Sequence, residues 1–214
     1  MLNFSIEESP KLFILYCSLA GFIVSWGISG LLVSIDVISQ TPPGSFFGII
    51  GVSLGFYDLA TAPLIGFSLH LLTGTIAGNI FGQVSIFWRR ISPYNAKHGL
   101  LTGICVGGIL WTLLFVPVAT FAIQPMIDSF RNSITPNQYV YSIVTNFEGL
   151  YPIIIAGSFA FHIIYGILLG YISGRLMEIK TLSGPRSNYY ILRICPQRFL
   201  IILIRLFPYF TTRY

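Results

Sequence analysis

The sequence predicts an all-α membrane protein: a four-transmembrane-helix bundle built from a duplicated two-helix unit, with a short interfacial C-terminal helix. Three observations predict it. Of the 214 residues, 54% are hydrophobic and only 9% charged, whereas a soluble domain carries roughly a quarter charged residues to keep its surface wet. Four apolar runs each exceed the ~20 residues that cross the hydrocarbon core. One histidine–glycine pattern also occurs twice at a fixed separation.

The first run covers residues 12–38 and carries no charge until Asp36. Ser9-Pro10 before it suits a helix start, with Ser as N-cap and Pro at the first helical position. It is too long for the apolar core of a signal peptide, and no small-x-small cleavage site follows. The second run covers 59–88 and is the most polar, with Ser68, His70, Thr73, Thr75, Asn79 and Gln83. The third covers 99–123 and the fourth 150–174. Residues 1–184 thus make one membrane bundle and 185–214 a basic tail.

Charge sets the expected topology. Lys11, Arg89, Arg90, Lys97, Arg175, Lys180, Arg186, Arg193, Arg198, Arg205 and Arg213 all fall on one side of the membrane, and only Arg131 on the other. Cytoplasmic loops carry the excess of Lys and Arg. Both termini are therefore expected in the cytoplasm, in the cell membrane. The net charge of +5 is a topology signal and not a nucleic-acid footprint. Asp36, Asp58, Asp128 and Glu148 sit at the opposite face, and Asp36, Asp58 and Glu148 read as water-exposed helix-end residues. In the tail, Pro196 and Pro208 exclude a fifth span. Arg198–Phe207 places two arginines on one helical face around an apolar core, which suits an interfacial helix on an anionic leaflet or a tail docked on a partner.

The repeat lies in the even-numbered spans. Phe67, His70, Gly74, Gly78 and Gly82 recur as Phe159, His162, Gly166, Gly170 and Gly174, each 92 residues later. An acid and a proline precede each copy, Asp58 with Pro63 and Glu148 with Pro152. Spans one and three share small residues, Gly21, Gly27 and Gly30 against Gly99, Gly103 and Gly107. A two-span unit keeps its orientation on duplication, so the copies would be related by an axis along the membrane normal.

The motif has more than one reading. Glycines at i, i+4 and i+8 leave a flat stripe for close helix packing, with each histidine bonded across an interface. Alternatively, His70 and His162 at equal depth match bis-histidine haem b ligation. Against haem stands a geometric objection: two helices in Gly-to-Gly contact cannot also straddle a macrocycle one turn away. Copper lacks a ligand set. A third reading has His70 and His162, with Asn79 and Gln83 below and Asp58 and Glu148 at the outer mouth, lining a path for a proton or small solute. Cys17, Cys105 and Cys195 show no zinc or disulfide spacing.

Thr41–Asp58 is apolar for a loop. Gly44, Gly48, Gly51 and Gly55 fall on one helical face, so a short helix at the outer interface is expected, with a re-entrant segment as the alternative. Gln124–Glu148 reads as a polar outer loop with Tyr139, Tyr141 and Phe147 as an aromatic belt. No phosphate loop, nucleophile elbow or metalloprotease motif is present, so a non-enzyme without a cofactor is expected.

TPPGSFFGIIG (Thr41–Gly51) followed by GFSLHLLTGTIAGNIFGQ (Gly66–Gln83) resembles small membrane proteins of ammonia-oxidising archaea. Some membrane proteins of that group accompany the ammonia monooxygenase. The resemblance implies an accessory subunit of a larger membrane complex and transfers no metal ligand. On that reading the chain contacts lipid and other membrane subunits, with the glycine stripes and the apolar outer loop as its contact surfaces.

Overall fold

The computed structural model describes residues 10–88, 91–93, 95–131 and 138–182, with the side chains of 178–182 excepted. Its elements are α1 (Pro10–Ile38), α2 (Ser45–Ser53), α3 (Thr61–Phe87), α4 (Ala96–Arg131), α5 (Gln138–Gly149) and α6 (Tyr151–Leu182). Four of them, α1, α3, α4 and α6, are long and apolar enough to cross a membrane. The expected N-cap Ser9, Cys195 and the tail helix at Arg198–Phe207 lie outside the described residues.

Each helix boundary has a local cause. The α1 helix stops where Pro42-Pro43 follows, and the chain turns through Gln40 at φ 57 and Gly44 at φ 87, conformations that favour glycine. Asp58 Oδ1 accepts from the backbone N–H of Thr61 at 2.6 Å and of Ala60 at 3.2 Å, which fixes the start of α3. Asn95 caps α4 by accepting from the N–H of His98 at 2.8 Å. The third span accordingly starts three residues before the expected Gly99.

Its other end departs further from expectation. The helix does not stop near Ile123 but continues to Arg131, so the supposed polar loop from Gln124 begins as helix and resumes as α5. At ~1.5 Å per residue a helix of this length spans roughly 54 Å, well beyond the hydrocarbon. Within it, Trp111–Phe115 and Ala119–Ile123 are π-helical turns. They flank Pro117, which has no N–H to give and displaces the carbonyl of the preceding turn. The wider π turns absorb both defects without breaking the helix.

The four long helices pair as two hairpins, α1 with α3 and α4 with α6, and the hairpins meet through α1 and α6. Glycine makes each pairing close. A Cβ on Gly74, Gly78 or Gly82 would collide with Ser25, Cys17 and Gly21, or Ile14 and Cys17, all on α1. A Cβ on Gly166, Gly170 or Gly174 would collide with Gly103 and Gly107, Gly99, or Asn95 and Ala96 at the start of α4. The stripes are therefore occupied inside the chain. They are not the free surfaces for partner subunits that the sequence suggested. On α1 the small residues that count are Cys17, Gly21 and Ser25. A Cβ on Gly30 would meet nothing within 4 Å, so Gly30 takes no part in the stripe.

At one end, here called the base, the hairpins are locked. Cys17 Sγ meets Ser173 Oγ at 3.5 Å, and the Tyr165 hydroxyl donates to the Gly74 carbonyl at 2.6 Å. Phe13, Cys17, Ala20, Ala77, Phe81 and Leu169 pack around these bonds. At the other end, the cap, α2 lies against the first turns of α3. Gly51 abuts the Ala62 backbone, and Gly66 abuts that of Phe47. Ile49 and Val52 of α2 join Val140, Ile143, Val144 and Phe147 of α5 in a second core. The α2 segment is thus packed within the chain, against α3 and α5. Only Gly48 and Gly51 of its four glycines are on the helix, because Gly44 is its N-cap and Gly55 follows its end.

Candidate functional site

Between the locked base and the cap the hairpins diverge, and a cavity of about 480 Å³ lies between them. That volume is in the range of small-molecule pockets. Its wall is almost wholly apolar and draws on α1 through α6. Thr73 of α3 and Leu114 and Val118 of α4 line it yet remain exposed. Ser39 at the end of α1 and Ile153 of α6 do so too, so the cavity opens both between α3 and α4 and near the cap.

His70 and His162 both line this cavity. Each histidine ring has a phenylalanine beside it, Phe47 at 5.6 Å from His70 and Phe115 at 5.9 Å from His162. Each also follows a phenylalanine met edge-on by a tryptophan, Trp26 on Phe67 and Trp111 on Phe159. His162 Nδ1 lies 2.7 Å from the Ser158 carbonyl. A carbonyl can only accept, so Nδ1 carries the proton and Nε2 is left as an acceptor. His70 Nε2 is buried and makes no hydrogen bond. A buried polar atom in that condition costs roughly 1–3 kcal/mol.

The remaining polar groups on the wall follow one pattern. Ser25, Ser39, Ser45 and Ser158 each donate to a backbone carbonyl of their own helix or turn. Tyr165 donates to Gly74, and Thr41 to Asp36. The His70 ring proton faces the Ser25 backbone, so among the described residues the Thr73 hydroxyl and the Asn146 amide, neither of them buried, are the side-chain donors left without a partner on this wall. The wall thus offers acceptors in excess of donors.

Asp36 corrects the sequence reading. It is only 1% exposed, not a water-facing helix end. Its Oδ2 accepts from the Gly44 N–H at 2.8 Å and its Oδ1 from the Thr41 hydroxyl at 3.2 Å. The carboxylate sits at the N-terminus of α2, where unsatisfied N–H groups and the helix dipole favour an anion. It anchors α2 over the cavity, which it also lines.

The other candidates are elsewhere. Asp58 is an exposed cap of α3, and its backbone bonds from Thr61 hold its carboxyl below the usual range. Glu148 pairs with Arg131 at the exposed cap. Asn79 donates to the Ser18 hydroxyl at 3.0 Å and Gln83 to Asn79 at 2.5 Å, bridging α3 to α1. None of these four lines the cavity. Sequence reasoning missed Asp36, Ser158 and Tyr165, whose roles depend on which helices meet. The tryptophans were a readable signal, since each precedes its phenylalanine partner in the same hairpin. No family model, curated protein or solved structure matches the chain.

Proposed function

We propose that the protein is a non-catalytic, membrane-embedded binding module that takes an uncharged, largely apolar molecule from the bilayer into the space between its hairpins. The observation that carries this reading is one apolar cavity among the four helices long and apolar enough to cross a membrane, lined by both repeat histidines. A ligand arriving from lipid loses little apolar solvation, so selectivity rests on the few polar contacts. The two hairpins are read as copies of one unit. Gly103 stands to Gly166 as Gly21 stands to Gly74, and both histidines hold the position one turn beyond their stripe.

The packing removes the geometric objection to haem, because each stripe faces its own hairpin partner and not the other stripe. Electrostatics disfavours haem instead. The ionisable wall groups are Asp36, the two histidines and Tyr165, with no Lys or Arg among the described residues to meet two propionates. A through-path for protons is disfavoured by the base, where Tyr165, Ala77 and Leu169 close the floor.

An accessory role in a larger membrane complex is the second reading. It is favoured by α4, the least covered span, whose exposed face includes Leu101, Ile109, Leu113 and Phe121. That face replaces the glycine stripes as the proposed contact surface, and it is compatible with ligand binding.

Gly157 provides the test. It lines the cavity, and a side chain there would meet nothing within 4 Å at its Cβ. Gly157→Trp should fill the cavity without disturbing a helix contact. Mass spectrometry of lipids carried by the protein from mild detergent should find an uncharged lipophile enriched over bulk membrane, and lost in Gly157→Trp. The same lipid profile in both proteins would refute the reading.

A further inference from the structure

Resting on that binding reading, we infer that the cavity selects a lipophile whose polar end donates a hydrogen bond, an alcohol or phenol, over a ketone, ether or ester of the same shape. The hydroxyls deep in the wall, Ser25, Ser158 and Tyr165, have their protons fixed on backbone carbonyls. His162 has its one ring proton fixed on the Ser158 carbonyl and turns an acceptor nitrogen outward from that bond. The Ser158 oxygen is itself held from the other side, since it accepts from the Trp111 indole at 2.9 Å.

Rotating any of these groups to donate inward would strand a carbonyl or an indole N–H in an apolar wall, so their polarity is set by the fold and not by the ligand. An ether or ketone would bring a second acceptor against His162 Nε2, leaving both unsatisfied. An alcohol completes the pair. Thr73 stands at the sideways opening, where an entering hydroxyl can exchange bonds before reaching the interior. An anionic head is excluded by Asp36 on the same wall.

The experiment uses the full chain in nanodiscs, with tritiated farnesol as probe and farnesyl methyl ether as competitor. The pair shares its apolar body and differs in the donated proton. Gly157→Trp gives the background from partition into the disc. Farnesol should bind roughly tenfold tighter than the ether, the effect of one buried acceptor left unmet. His162→Phe should bring farnesol down to the level of the ether and leave the ether unchanged, so ether binding reports that the variant is folded. His162→Gln, which presents an amide donor, should also abolish the preference. Equal affinity for alcohol and ether in the unaltered protein would overturn the donor rule alone. A preference that survives both substitutions would remove His162 from it. Binding of neither probe above the Gly157→Trp background would overturn the binding reading as well.

Discussion

Alanine at Gly166 tests how the hairpins are held together. A Cβ built there would lie 2.7 Å from the Gly107 nitrogen and 2.9 Å from its Cα, and closer still to the Gly103 carbonyl. Carbon contacts are comfortable at about 3.5–4.0 Å, so α4 and α6 would have to part by roughly 1 Å. Every obstacle is backbone, so no rotamer change relieves it. Separation at this level also loosens the neighbouring Gly99–Gly170 and Gly107–His162 contacts, which places the cost near the upper end of the ~1–3 kcal/mol seen for overpacking. Gly30→Ala is the control. With nothing within 4 Å of its Cβ, it should stabilise α1 by about 0.5–1 kcal/mol through helix propensity alone. Reversible unfolding of the two variants in bicelles should therefore differ by about 3–4 kcal/mol, more than two decades in the folded-to-unfolded ratio. Equal stability of the two variants would mean that the stripe does not hold α4 against α6.

Two further outcomes follow from the cap. Asp36→Ala should free the N-terminus of α2 and lower stability by about 0.5–2 kcal/mol, as for other lost N-caps, with faster amide exchange at Gly44–Phe47. Unchanged exchange there would refute the anchoring role. Asp58 should give the α3 entry an acid-side dependence. Its folded-state pKa is depressed, so its contribution is present above the unfolded value near 3.9 and fades as the pH falls through the depressed folded value. Protection of the Ala60 and Thr61 amides should weaken in that window and lose this pH dependence in Asp58→Asn; a profile unaffected by the substitution would refute the capping role.

The four spans were legible because lipid imposes a length and composition rule that sequence carries openly. The starts of α3 and α4 were nearly so, since Asp58 and Asn95 are recognisable caps. The end of α4 was not legible. Pro117 and Pro125 read as breaks, but the π turns on either side of Pro117 and continuous helix around Pro125 carry the chain on to Arg131. The glycine stripes were visible in sequence, but their partners were not, because a flat face accepts any close backbone. For the same reason Asp36 looked like a solvated helix end. Its burial depends on α2 folding back over it, a tertiary event with no local signature beyond Pro42-Pro43-Gly44.

The order of residues in the repeated motif now has a physical sense. Reading α3 and α6 from cap to base, the histidine comes first and the three glycines follow at successive turns. The glycines draw each helix onto its hairpin partner, and the bulk of Tyr165 and Leu169 joins the hairpins at the same depth. One turn nearer the cap the stripes of α3 and α6 end, although Gly107 of α4 still abuts the His162 backbone. A histidine placed there lines the cavity, which also reaches Gly74 and Ala77 of α3 and Tyr165 of α6 on the base side. Histidine at a stripe position would have no room for its ring, since even a Cβ there meets the partner helix. The motif thus places a packing stripe and a polar group on one helix, and it does so from both sides of the same cavity.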